Sequence, residues 1–214
     1  MNILIMGAPG SGKGTFSSRL KDEYDLKHIS TGDIFREHMS NNTDLGKKAK
    51  SYIEAGHLVS DELVNDMVLH TLQELPEDAG YLLDGFPRTL AQAKAFDQAT
   101  KGTDHEVDRI IYMDTPSDVL TKRITGRRTC PKCGEIYNIY YKPTKVEGVC
   151  DKCNTELTSR ADDNEESLAT RLEEYEAMTR PVIDYYTDQD KVSLINANQD
   201  FESIWNEIRN ALEA

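Results

Sequence analysis

The 214-residue chain predicts an α/β fold, a parallel sheet with helices on both faces built around a phosphate loop and interrupted by two insertions. Three observations lead there. Short apolar runs alternate with helix-length amphipathic stretches, and parallel strands need such crossovers between them. The first apolar run is followed at once by a glycine-rich loop and a helical stretch. Residues 31–59, helical but without a good strand, and residues 127–164, with neither the period nor the composition of a βαβ unit, break the alternation.

In chain order, Asn2–Met6 (NILIM) is a continuous apolar run of the kind a strand buried on both faces requires, and FSSRLKDEY (16–24) is helical in pattern. LKHIS (26–30) is a weaker strand; YLLD (81–84), RIIYMD (109–114) and VSLINA (192–197) are stronger ones. Thr115-Pro116 predicts a helix start with proline in the first turn, and Asp163 to Glu166 resembles a capping box. Ligands of open α/β sheets bind at the carboxyl ends of the strands, where both the glycine loop and Asp84 would emerge.

That loop reads GAPGSGKGT (7–15). Glycines let the backbone curl into a nest of N–H groups at the positive end of a helix, and Lys13 adds a full charge beside it, which suits a phosphate chain. Gly7 and Gly12-Lys13 keep the phosphate-loop spacing, but Gly14 stands where a Ser or Thr usually follows the lysine. The hydroxyl arrives one place later, at Thr15, so the magnesium role of the usual residue does not transfer directly.

Composition excludes several classes of function. Twenty-five basic against 38 acidic residues give a net charge of −13, which would repel a polyanion, so nucleic acid is not an expected partner. No segment approaches the roughly 20 apolar residues of a membrane span, and no basic stretch precedes the opening apolar run, so a cytoplasmic protein without membrane contact is expected.

All four cysteines fall in the second insertion, as Cys130-x-x-Cys133 and Cys150-x-x-Cys153. Two such knuckles with this gap bring four thiolates to the corners of a tetrahedron, the arrangement of structural Zn²⁺. Four protein ligands leave no open position for catalysis. The intervening GEIYNIYYKPTKVEG alternates apolar and polar residues, so a small β-ribbon between the two pairs is expected, too poor in apolar residues to have a core without metal.

Arginines dominate the remaining chemistry: Arg36, Arg88, Arg123, Arg127, Arg160 and Arg171. With them in view, five stretches together resemble the adenylate kinases, specifically the long-lid, zinc-containing bacterial type: GAPGSGKGT (7–15), STGDIFRE (30–37), GYLLDGFPRT (80–89), ITGRRTCPKCG (124–134) and SRADDNEESLATRL (159–172). They span nearly the whole chain. The resemblance implies reversible, Mg²⁺-dependent transfer of the γ-phosphoryl group of ATP to AMP, giving two ADP, by a monomer. It divides the chain into a core (1–29, 60–126 and 165–214), an AMP-binding insertion (30–59) and a zinc-containing lid (127–164).

By the same resemblance, Lys13 and the loop amides of Gly10, Ser11, Gly12, Gly14 and Thr15 hold ATP phosphates, joined by Arg123 and Arg127 and, in the lid, Tyr137. Thr31, Arg36, Leu58, Val59, Gly85, Arg88 and Gln92 hold AMP, Arg160 and Arg171 clamp the transferring group and the acceptor, and Asp84 orients waters on Mg²⁺. Bland readings stand beside four of these. Gln92 follows Thr89 at capping-box spacing, Thr31 precedes a plausible helix start, Asp84 could cap a strand end, and Tyr137 could fill the ribbon core. Asp162 and Asp163 belong with the hinge and lid.

The phosphate of AMP is largely ionised at neutral pH, so the acceptor oxygen needs no general base and none of the five histidines is expected to be catalytic. The task is to align two anions and spread the transferring charge away from water. Two alternatives stay open at this point: a kinase for UMP or CMP, and a nucleotide-binding regulator without turnover.

Overall fold

The computed structural model describes every residue except Gly56, Glu77 and Ala214. Five strands form one parallel sheet in the order β2-β3-β1-β4-β7: β1 (Asn2–Gly7), β2 (Lys27–Ser30), β3 (Tyr81–Asp84), β4 (Arg109–Asp114) and β7 (Val192–Asn196). All six residues of the central β1 are buried, which is why its sequence is apolar without alternation. The two faces still separate by parity. Leu4 and Met6 join Tyr81, Leu83, Val68 and Tyr186 on one side, and Ile3 and Ile5 join Leu82, Ile111, Phe16 and Trp205 on the other. Ile3, Leu4 and Ile5 are fully shielded, and each such side chain contributes about 1.5–3 kcal/mol relative to exposure.

Helices α4 (Asp61–Gln73), α5 (Leu90–Thr100) and α8 (Arg180–Thr187) cover the first face through Val68, Phe96 and Val182; α1 (Lys13–Glu23) and α9 (Phe201–Glu213) cover the second through Leu20 and Ile208. Register sets Asp84 opposite Ile5 on β1 and Gly7 opposite Met113 on β4, so the glycine loop and the aspartate leave the same end of the sheet.

Within residues 31–59, helices α2 (Thr31–Ser40) and α3 (Asp44–Ala55) form a tight hairpin. A Cβ on Gly46 would stand 2.1 Å from the His38 carbonyl oxygen, so only glycine permits this crossing. In residues 127–164, β5 (Arg127–Thr129) pairs antiparallel with β6 (Ile136–Asn138), and the Cys130–Cys133 knuckle is their turn. One strand of the ribbon, β6, lies between the cysteine pairs as expected, but its partner β5 precedes Cys130, because the Cys130 amide donates to the Glu135 carbonyl and closes the strands across the knuckle.

Three helix starts differ from the sequence reading. Helix α1 begins at Lys13, inside the glycine loop, with Gly12 as its left-handed N-cap. Helix α6 (Ser117–Thr125) has Pro116 itself at the cap, and Thr115 Oγ1 is buried without a partner among the described residues instead of capping. Helix α7 (Glu165–Glu174) is capped by Asn164, whose side chain accepts from the Ser167 amide, so Asp163 to Glu166 is not the box; Asp163 is engaged by arginine.

Candidate active site

The glycine loop is shaped by three left-handed residues, Gly7 (φ 148°), Gly10 (φ 87°) and Gly12 (φ 102°). At Gly7 a Cβ would lie 2.7 Å from both the Met113 carbonyl and Ser11 Oγ, so β4 presses directly against the loop. The Ser11 amide donates to the Ala8 carbonyl and the Thr15 amide to the Gly12 carbonyl. Those two expected phosphate donors are thus engaged within the loop, whereas the amides of Gly10, Gly12, Lys13 and Gly14 meet no acceptor among the described residues. Lys13 folds over this nest, its Nζ donating to the carbonyls of Gly7 (2.7 Å) and Ala8 (3.0 Å). Burial draws its pKa down to about 8, with help from Arg88, Arg171 and Arg127 and against the pull of Asp84.

Asp84 ends β3 beneath the lysine. Burial tends to raise its pKa, but His28 and the Lys13 ammonium outweigh that and keep it below the usual carboxylate value. Ser17 Oγ donates to it at 3.4 Å, and His28 Nε2 stands 3.9 Å away, an ionic separation beyond hydrogen-bond reach. His28 is accordingly the histidine placed behind the aspartate, one layer removed from the loop.

Arg88 follows Asp84 through a Gly-Phe-Pro turn and is fixed from three sides. Its Nε donates to the Gly85 carbonyl (2.7 Å), its amide to Gln92 Oε1 (2.7 Å), and its carbonyl accepts from Thr179 Oγ1 (2.9 Å). Thr179 closes a π-helical turn, Tyr175–Thr179, between α7 and α8. Burial lowers the Arg88 pKa to about 10, and Arg171 adds to it.

The other arginines converge from both insertions and from α7, and all but Arg123 lean on a carboxylate. Arg36 of α2 and Arg160 of the 127–164 segment meet at Asp33, at 2.5 and 3.6 Å. Arg127 makes a paired contact with Asp163, and Arg171 reaches Asp162 at 2.9 Å. Arg160, chiefly through burial and then through Arg127 and Arg36, is drawn down to about 10. Arg123 donates to the Ser11 carbonyl (3.1 Å) and to the Ala197 carbonyl (2.9 Å), tying the loop to the end of β7. So many mutually repelling cations around one cleft create a site for polyanions.

The cleft brings together Thr31, Arg36, Leu58, Val59, Gly85, Arg88, Gln92 and Arg171. Thr31 is not a cap: Ser30 caps α2 by accepting from the Asp33 amide, and Thr31 Oγ1 donates to the Gly85 carbonyl. Thr89 does cap α5, accepting from the Gln92 amide at 3.1 Å, while the Gln92 side chain lines the cleft. Sequence reasoning missed the apolar wall of Phe35 and Val64, whose helical spacing reads as ordinary core, and the acidic partner Asp33, which its i,i+3 spacing to Arg36 could have revealed.

Comparison with known proteins agrees with this geometry. The family model described as adenylate kinase matches residues 5–191. Relatives named adenylate kinase include those of Thermodesulfovibrio yellowstonii (45% identical over 100% of this chain and 99% of the relative), Archaeoglobus fulgidus (44%, 100% and 98%) and Clostridium acetobutylicum (42%, 99% and 99%). The chain belongs to the adenylate kinase family.

Adenylate kinases transfer the terminal phosphoryl group of Mg²⁺-bound ATP reversibly to AMP, giving two ADP, and that phosphotransfer is the activity of this chain. In this adenylate kinase the four cysteine sulfurs lie within 4.8 Å of one another, a cluster that can hold a metal ion. Tyr137 is 4% exposed among them, its hydroxyl 3.5 Å from Cys150 Sγ and accepting from the Asp151 amide. Its ring fills the ribbon core in this conformation, the bland reading of this residue. No described helix is long and apolar enough to cross a membrane.

Proposed function

We propose that the phosphoryl transfer is carried by the cationic cage with most of the roles expected, while the Ser11 and Thr15 amides stay bonded within the loop and Tyr137 fills the ribbon core. Lys13 and the unpaired amides of Gly10, Gly12, Lys13 and Gly14 take the ATP phosphates, with Arg123 bracing the loop beneath them. Thr31, Arg36, Gly85, Arg88, Gln92 and the backbone of Leu58 and Val59 receive AMP, with its base against Phe35 and Val64. Arg127, Arg160 and Arg171 exchange their present carboxylate partners for the transferring group, since an arginine already desolvated gains most from a dianion. Residues 30–59 and 127–164 act as two moving covers on a core of 1–29, 60–126 and 165–214.

The observation that carries this reading is Arg88. It is half-buried, its pKa is lowered by desolvation and further by Arg171, and its side chain is held by a neutral carbonyl instead of a carboxylate. Such a cation is preorganised for an anion that the protein does not itself supply. No base acts on AMP, whose phosphate oxygen is already ionised. Mg²⁺, when it arrives with ATP, neutralises charge between the phosphates; Asp84, depressed in pKa and beside Lys13, is the group to orient its waters.

The cysteine cluster fits structural Zn²⁺. Sulfur–sulfur separations of 3.4 and 3.6 Å are close to the roughly 3.8 Å edge of a tetrahedron with 2.3 Å bonds. Burial raises the Cys150 pKa, but the Tyr137 hydroxyl and nearby amides bring it down overall, favouring the thiolate. A monomer needs no further residue to complete this site.

The test is Arg88→Ala. Loss of one preorganised donor should cost about 2–4 kcal/mol in kcat/KM for AMP phosphorylation. A variant within threefold of the parent enzyme would remove Arg88, and with it the assignment of the cage.

A further inference from the structure

We propose that Asp61 fixes the orientation of the Gln92 amide and thereby decides which nucleobase edge the pocket accepts. The idea rests on the reading of Gln92 as the base contact for the acceptor nucleotide. Gln92 is 2% exposed, and a primary amide offers two lone pairs on Oε1 and two hydrogens on Nε2. Its two ends are chemically similar, so something outside the side chain must say which is which.

Two neighbours do so, and neither is ambiguous. The Arg88 backbone N–H can only donate, and it donates to Oε1 at 2.7 Å. The Asp61 carboxylate accepts, and its Oδ1 takes a hydrogen from Nε2 at 2.8 Å. Turning the amide over would set N–H against N–H and oxygen against carboxylate. Asp61 is itself anchored, because its Oδ2 accepts from Thr89 Oγ1 at 2.9 Å, and Thr89 is the cap of α5. Gln92 lines the nucleotide cleft, whereas Asp61 lies behind it at the first turn of α4.

With one site at each end engaged, the amide retains one lone pair and one hydrogen for the cleft, in a fixed order. Adenine presents an exocyclic amino donor beside a ring-nitrogen acceptor, the pairing that glutamine reads bidentately. Cytosine carries the same order on its N4 and N3. Uracil carries the reverse, an exocyclic carbonyl beside a ring N–H, and needs the opposite orientation of the amide. Asp61 is thus a positioning residue whose specific effect is to reject the oxo base.

The experiment compares kcat/KM for AMP, UMP and CMP in the parent enzyme, Asp61→Ala and Asp61→Asn. The asparagine variant preserves volume and guards against a folding defect, since its own amide can offer either a donor or an acceptor to Gln92. In both variants the AMP-to-UMP ratio should fall about tenfold, the order of one lost base discrimination, with the AMP-to-CMP ratio within about twofold of the parent. An unchanged AMP-to-UMP ratio, or equal falls in both ratios, overturns the proposal. Gln92→Ala run alongside separates the two levels: if it shifts base preference and the Asp61 variants do not, only the role of Asp61 fails. If Gln92→Ala leaves base preference unchanged, the underlying reading of Gln92 fails as well.

Discussion

The Lys13 ammonium stands where burial and three arginines all disfavour its charge, and its pKa of about 8 lies well below the 10.5 of an unburied lysine. The consequence for stability has a definite sign. Below pH 8 folded and unfolded chains both hold the proton and the cost of burying the charge is fully present; between about 8 and 10.5 the unfolded chain binds more protons, so stability rises with pH. A polyphosphate reverses the shift by favouring the charged form. Binding of ATP at pH 8.5 should therefore take up a fraction of a proton, measured as a dependence of calorimetric enthalpy on buffer ionisation, and at pH 6.5 it should not. Equal proton uptake by a Lys13→Met variant would show that this ammonium does not face the phosphates. The lysine itself was legible from its glycine setting; its depressed pKa was not, because it comes chiefly from burial that the fold imposes and then from arginines distant in sequence.

At the scale of elements, the cysteine segment has almost nothing apolar to hold it. Its core is Cys130, Tyr137 and Cys150, with Cys153 and Leu157 packed beside them, and its strands are three residues each. A ribbon this small would depend on a metal in its cysteine cluster for order. Protein purified without added zinc should contain close to one Zn²⁺ per chain. Stripping it with a chelator should abolish hydrogen-exchange protection in residues 127–159 while β1 stays protected. Retention of protection there after metal loss would mean that the ribbon stands unaided. The knuckle spacing announced this element in the sequence. The π-helical turn at Tyr175–Thr179, by contrast, has no sequence signature, since the extra residue is accommodated by packing: Tyr175 meets the Tyr112 hydroxyl at 3.2 Å and Thr179 meets the Arg88 carbonyl.

Over the whole molecule, a net charge of −13 surrounds a cleft crowded with arginine. The carboxylates between those arginines also join parts far apart in sequence: Asp33 takes Arg36 from its own helix and Arg160 from the cysteine-containing segment. Asp33 is more than half exposed, so the link is weak and salt-sensitive, enough to bias a closure without locking it. Fluorophores at the exposed positions 52 and 146 should report a broader, longer distance distribution in Asp33→Ala than in the parent when no nucleotide is bound, and the same short distance when ATP and AMP are both present. Identical distributions without nucleotide would dismiss this bridge as incidental.

Much of this adenylate kinase was determined by the sequence alone, because its strands, loop and cysteine knuckles are local: a buried strand needs an apolar run, a phosphate nest needs adjacent glycines, and a tetrahedral sulfur site needs two short spacings. Strand limits at 81–84 and 109–114 follow from that. Apart from Asp33 with Arg36, three residues apart on one helix, the partnerships around the arginines were decided only by tertiary structure. Asp163 reads as part of a helix cap until the fold turns it towards Arg127, and of the two roles open to Tyr137 the fold favours the one inside the cysteine cluster. Charge pairing and burial act through space at a few ångströms, and residues that lie tens to more than a hundred positions apart come within that range only after the sheet has closed the chain upon itself.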